Sequence, residues 1–383
     1  MLHRISLVLV LLVVLYSCTS SKKIRASSQN SSASQLRFLS EYDVANAKQF
    51  SGTTIGGLSG IDYDVKRNVY YLISDDRSAI NPARFYTASI DIGGNKIDSI
   101  EFKAVDSLKT RQGATYPNSK QDPFHTPDPE SLRYNPLTDE IVWSSEGERI
   151  IRAGTNVLED PTITVIDRNG NYKDTFELPA NMHMRASENG PRQNSVFEGI
   201  AFTDDYKSVF VSVEEPIYED GARAGIDDST AWIRIIKFDV ATSKPVAQYA
   251  YKIESVVYPA APAYAFKING VSEILWIATN KLLVVERSFS TGKPGCAIRL
   301  FVADLEQATD ISNINSYNAQ SNAKPVPKKL LLNMDELGRY IDNIEGVTFG
   351  PRLSNGHRTL IFVADDNFSP LQKTQFLLFE VIP

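Results

Sequence analysis

Cysteine is nearly absent: Cys18 and Cys296 are the only two in the chain. That excludes a disulfide framework and a thiolate metal cluster. Positive charge is nowhere concentrated and the formal net charge is -6, which argues against a nucleic-acid partner. Beyond the N-terminal stretch, no apolar run is long enough to span a bilayer as a helix. The short signatures of familiar hydrolases are missing too: there is no G-x-S-x-G, no H-E-x-x-H, no P-loop and no full EF-hand loop. Asp167, Asn169, Gly170 and Asn171 faintly suggest a calcium loop, but a hairpin turn explains them better.

Residues 1–18 read as an export signal. Arg4 gives a positive start, Ile5 to Leu15 an apolar stretch, and Leu15-Tyr16-Ser17-Cys18 its end. A cysteine after a small residue there resembles a bacterial lipoprotein signal, with Cys18 as the lipidated residue. The alternative is an ordinary secretory signal with an incidental cysteine. Residues 19–35 are Ser-rich and lack apolar periodicity, as a flexible tether would. The expected protein is lipid-anchored at a bacterial cell envelope, and touches the membrane through that lipid only.

The remaining residues, 36–383, carry an internal repeat. Five phrases recur about seventy residues apart, opening at Ser59-Gly60-Ile61, Glu130-Ser131-Leu132, Glu198-Gly199-Ile200, Ser272-Glu273-Ile274 and Glu345-Gly346-Val347. After each phrase a second apolar run ends at an acid: Asp75-Asp76, Glu146, Glu214-Glu215, Glu286 and Asp365-Asp366. A fixed period with this internal order marks a repeat architecture. Taken repeat by repeat, it predicts an all-β propeller of four-stranded blades. The fifth repeat supplies only three strands before the chain ends, and residues 36–44 offer the fourth, closing the ring and removing an open edge. Five blades follow; a sixth is left open if 106–129 hides strands. Tyr63, Tyr134, Phe202, Trp276 and Phe349 fall where blades pack together.

Loop length assigns a working face. The connections 106–129, 147–161, 180–197, 216–231 and 254–271 are long and fall on one side, whereas the hairpin turns opposite are short. The segment 305–327 is long on the opposite side, and its Ser, Asn, Gln and Ala content suggests mobile surface. Glu130, Glu198 and Glu345 open innermost strands at the working face. Asp75, Asp76, Glu146, Glu214, Glu215, Glu286, Asp365 and Asp366 end second strands there. Crowded carboxylates share protons, pair with cations or hold a metal, so Ca²⁺ or Mg²⁺ is the candidate cofactor, with no organic one. Arg77, Arg149, Arg185, Arg192 and Arg287 are predicted on the same rim. Mixed arginine and carboxylate suits a phosphorylated ligand with a hard cation. His125 and His183 fall in long loops there and are candidates for acid, base or ligand. The other reading is structural: repeated acids at strand ends accept backbone N–H bonds, and Glu130, Glu198 and Glu345 are open to it.

At these residues the chain resembles the phytase-like domain proteins labelled "esterase-like activity of phytase". The matching segments are Gly57-Leu58-Ser59-Gly60 with Ser74-Asp75-Asp76-Arg77 and Ala83-Arg84-Phe85-Tyr86, then Asp128-Pro129-Glu130-Ser131. Asn194 to Phe202 with Glu214-Glu215-Pro216, Glu286-Arg287, and Asp342 to Gly346 with Asp365-Asp366-Asn367-Phe368 complete them. The resemblance implies an exported propeller that hydrolyses phosphoesters or other esters, with a small-molecule ester or phosphorylated ligand as partner. It transfers no defined catalytic set, and fold alone fixes neither activity nor substrate. The alternative is a non-catalytic module that binds a ligand or partner through the same face.

Overall fold

The computed structural model describes residues 34–227, 230–318 and 320–383. The signal 1–18, Cys18 and nearly all of the tether 19–35 lie outside the described residues. Among those described, no helix is long and apolar enough to cross a membrane.

Five antiparallel four-stranded sheets follow one another along the chain. Blade one is Leu58–Asp64, Val69–Ser74, Arg84–Gly93 and Lys96–Ser107; blade two is Pro129–Asn135, Glu140–Ser145, Thr162–Asp167 and Tyr172–Thr175. Blade three is Phe197–Phe202, Ser208–Val213, Trp232–Asp239 and Lys244–Lys252, and blade four is Lys267–Ala278, Lys281–Ser290, Ala297–Asp304 and Lys328–Asn333. Blade five combines Asn343–Gly350, Thr359–Asp365 and Thr374–Ile382 with the N-terminal strand Gln35–Val44. That strand pairs antiparallel from Gln35 against Ile382 to Val44 against Thr374. Phe38 meets Phe379 edge-on, with ring centroids 5.5 Å apart. The chain thus ends where it began, and the outer edge of the last blade is filled.

The first strand of each blade lies innermost, and these strands touch in a closed circle, the fifth against the first. Alternating apolar residues face the neighbouring blades, giving one apolar core between each adjacent pair. Tyr134 packs on Tyr71 of blade one, and Trp276 stacks on Phe210 of blade three. Each fully buried large side chain in such a core contributes about 1.5–3 kcal/mol.

The recurrent phrase encodes a β-bulge. In every innermost strand the register against the second strand slips at the same place: between Leu58 and Gly60, Pro129 and Leu132, Phe197 and Ile200, Val271 and Glu273, and Ile344 and Gly346. A bulge re-aims the side chain it carries and bends the strand. Where a glycine follows, it permits close approach of the next blade. A Cβ on Gly199 would stand 2.3 Å from the backbone nitrogen of Ile274 in the next blade.

The alternative of a sixth blade is closed: residues 108–128 add no blade strand and hold only an isolated bridge, Lys109 to Thr115. One expectation is corrected: the segment 305–327 is not free surface. Ile311 and Tyr317 are buried, Tyr317 meets the Trp232 ring edge-on at 5.0 Å, and its backbone N–H donates to Asp220. Its polar composition hid two apolar anchors.

Candidate functional site

The bulged position of successive blades reads Ser59, Glu130, Glu198, Ser272 and Glu345. The two serines turn to backbone, Ser59 donating to the carbonyl of Glu130 at 2.6 Å and Ser272 to that of Ile344 at 2.9 Å. The three glutamates instead line a cavity of about 1210 Å³ at the channel mouth. A second ring comes from the ends of the second strands. Asp75, Glu146 and Glu214 each donate a backbone N–H to the residue preceding the innermost strand, while Asp365 pairs with Asn343. In blade four the equivalent position, opposite Gly270, is Arg287. The expectation that Glu286 joins this ring is therefore wrong by one residue, and period-two alternation sends it to the other face. There it accepts from Tyr251, Asn269 and the Glu254 backbone and pairs with Lys328.

Five carboxylates form a continuous row in the mouth. Asp128, Glu130 and Glu146 bring ligand oxygens within 4.8 Å of one another, and so do Glu146, Glu198 and Glu214. An arginine stands at each end. Arg77 lies 3.6 Å from Asp128 and 2.6 Å from Glu148. Arg287 lies 2.7 Å from Glu214 and 3.3 Å from Glu345. Between them compensation fails. Glu146 accepts a bond from the Val196 backbone N–H, and the side chains of Glu130, Glu198 and Asp75 have no hydrogen-bond or ion-pair partner among the described residues. Burial, then mutual repulsion, pushes the carboxyls of Asp75, Glu130, Glu146, Glu198 and Asp365 well above their ordinary range. Burial also lifts Asp128 and Glu214 to about 7, against the pull of Arg77 and Arg287 respectively. The cavity rim adds Arg223, Lys293 and Lys373 and an apolar wall of Phe266, Phe289 and Leu371.

The remaining sequence candidates have other work. Asp76 accepts from the backbone of Ala79, Ile80 and Asn81 and pairs with buried Arg84 at 2.8 Å. Asp366 accepts from Gly57, Phe368 and Thr374. Glu215 accepts from Ser195 and pairs with Arg223 at 2.9 Å. These acids hold loops. His125 is exposed beside Asp122, and His183 beside Asp160; neither lines the central cavity. Arg149 and Arg192 cover the Tyr218 ring and donate to loop carbonyls, while Arg185 lines a separate groove.

Sequence reasoning missed Asp128, whose signal was its parity with Glu130 at the start of the strand. It also missed the channel floor. Arg133 donates to the carbonyls of Ile61, Ile200 and Ile274, the same position in blades one, three and four. It pairs with Glu273 at 2.8 Å, both side chains almost wholly buried. Asp62 beside it accepts from the Tyr134 N–H and the Thr348 hydroxyl. This plug closes the channel beneath the mouth.

A closed five-bladed propeller with a plugged axis and an acid-lined mouth defines the class. The chain belongs to the Phytase-like family, "esterase-like activity of phytase", whose family model matches residues 53–368. No curated protein matches the sequence. Similar solved structures include the endo-arabinase from Bacteroides thetaiotaomicron, with 11% identity, a TM-score of 0.45, and 89% of this chain and 98% of that one covered. The exo-β-1,3-galactanase of Phanerochaete chrysosporium gives 11% identity and 0.45, covering 89% and 64%. An N-acetylgalactosamine deacetylase from F. plautii gives 8% and 0.45, covering 90% and 95%. Likeness at this level carries no inference about substrate.

Proposed function

We propose that this is an exported, lipid-anchored envelope hydrolase that uses a divalent cation, Ca²⁺ or Mg²⁺, to cleave phosphate or other anionic esters in the channel mouth. The carboxylate cluster supports this reading, because Glu130, Glu146 and Glu198 stand together without an ion pair of their own, and Glu130 and Glu198 face a cavity open to a small molecule. Those acids would hold the cation, which when bound supplies Lewis acidity toward an ester oxygen. Arg287, buried and held charged by Glu345 and Glu214, sets a fixed positive charge beside the mouth for an anionic group that enters. Glu198 faces the cavity without a hydrogen-bond partner among the described residues, so an oxygen not taken by the cation can accept a proton from an incoming water.

A specific observation favours the second reading, a non-catalytic binding module. No histidine lines the cavity among the described residues, and burial pushes the thiol of its one cysteine, Cys296, up to about 12. No activated nucleophile is therefore prebuilt. The deciding experiment is turnover of phosphomonoesters, phosphodiesters, phytate and simple acyl esters with each cation. Cation-dependent turnover that Glu198→Gln abolishes supports the hydrolase. Cation-dependent phosphate binding without turnover supports the module.

A further inference from the structure

Resting on the cation-assisted reading above, we propose that the mouth holds a pair of divalent cations bridged by Glu146. The two triads of ligand oxygens are not alternatives for one ion. They share Glu146 alone: Asp128 and Glu130 complete one, Glu198 and Glu214 the other. Opposite oxygens around one Ca²⁺ stand about 5 Å apart, so each triad, closing within 4.8 Å, is the size of one ion's shell.

The acids are also prepared for this unequally. The two terminal ones each keep an arginine, Asp128 with Arg77 and Glu214 with Arg287. The three inner ones form no ion pair among the described residues; the charge of Arg287 reaches Glu146 and Glu198 only at longer range. Glu198 is 6% exposed, lines the cavity, and accepts no bond from any described residue. A buried carboxylate left so is a large desolvation cost unless a cation meets it. One divalent ion would still leave the three inner carboxylates net negative. Two would reverse that and make the mouth receptive to an anion.

Neighbouring backbone is shaped around the shared ligand set. The Val196 N–H holds one oxygen of Glu146 and thereby orients the other. Gly270 carries no side chain where a Cβ would stand 2.7 Å from Cγ of Glu214. Its absence lets Glu214 fold toward Glu146. The all-carboxylate set suits a hard cation that tolerates irregular coordination, Ca²⁺ before Mg²⁺.

Calorimetric titration of the chelated full-length chain with CaCl2 tests this, with Mn²⁺ as a paramagnetic probe in parallel. Two ions per chain are expected, with a spin-coupled Mn²⁺ spectrum. Glu130→Gln should remove one ion and Glu198→Gln the other, while Glu146→Gln weakens both by more than about tenfold. Thermal melts of each variant without cation confirm folding. A single ion in the wild type, or Glu146→Gln costing one ion only, overturns the bridged pair and leaves the single-cation reading standing. No binding of any cation overturns both.

Discussion

The mouth and the plug lie on one axis, built by the same innermost strands a few residues apart, and both bury carboxylates. In the plug every acid is answered. Glu273 receives Arg133, the Ser131 hydroxyl and the N–H groups of Ile200 and Ile274. In the mouth Glu130 and Glu198 receive nothing from the described residues. Buried charge that is fully hydrogen-bonded fixes a structure, whereas buried charge left open is costly and is compensated from outside. The difference separates an axial pin from a binding site without reference to any relative.

Removing the pin should produce the largest effect. Arg133→Leu leaves Glu273 and Asp62 buried without their cation and uncaps three carbonyls. A loss of about 3–5 kcal/mol is expected in denaturant unfolding. That loss should be the same with and without Ca²⁺, because the plug does not bind it. A cation-dependent loss would show that plug and mouth are one unit and break the comparison.

Much of this was legible in the sequence. The repeat announced the blades, and the missing fourth strand of the last blade pointed to the N-terminus. The recurrent Glu-Gly and Glu-Ser pairs named three mouth acids before any geometry. What escaped reading depended on register. In blade four the position facing Gly270 carries an arginine, so taking the acid that ends the apolar run chose Glu286 over Arg287. Arg133 sits between Leu132 and Tyr134, and a lone cation in an apolar strand signals the axis only once the closed ring is known. Histidines drew attention by residue type, although loop position decides whether they reach the mouth.

Titration should give the next effect. The carboxyls of Asp128 and Glu214 rise from 3.8 and 4.5 to about 7 on folding. A raised acid stabilises the fold when protonated, so its contribution is full below the unfolded value and is lost as pH rises through the folded one. Metal-free stability should therefore fall between about pH 4 and about pH 7. Glu273, also lifted to about 7 by burial, adds to the same slope. Saturating Ca²⁺ should remove only the mouth's share, since the cation competes with protons there and not in the plug. A slope untouched by Ca²⁺ in urea titrations at successive pH values would place the titrating acids in the plug instead.

The smallest effect gives the sharpest contrast, because the same substitution should act with opposite sign at the two sites. Glu273→Gln keeps an acceptor but takes the charge from Arg133, and should cost about 1–3 kcal/mol. Glu198→Gln removes one charge from a cluster in which Glu214, Glu146 and Glu345 all repel it. Without cation it should stabilise the protein, by about 0.5–1 kcal/mol at neutral pH, and the gain should vanish in acid where the cluster is protonated. With Ca²⁺ present the order reverses, since the wild type then gains a ligand that the variant holds less well. Paired denaturant melts of the two variants, with chelator and with Ca²⁺, read all four signs. Destabilisation by Glu198→Gln in chelator would mean that the mouth glutamate has a stabilising partner after all, and mouth and plug would then be two versions of one structural device.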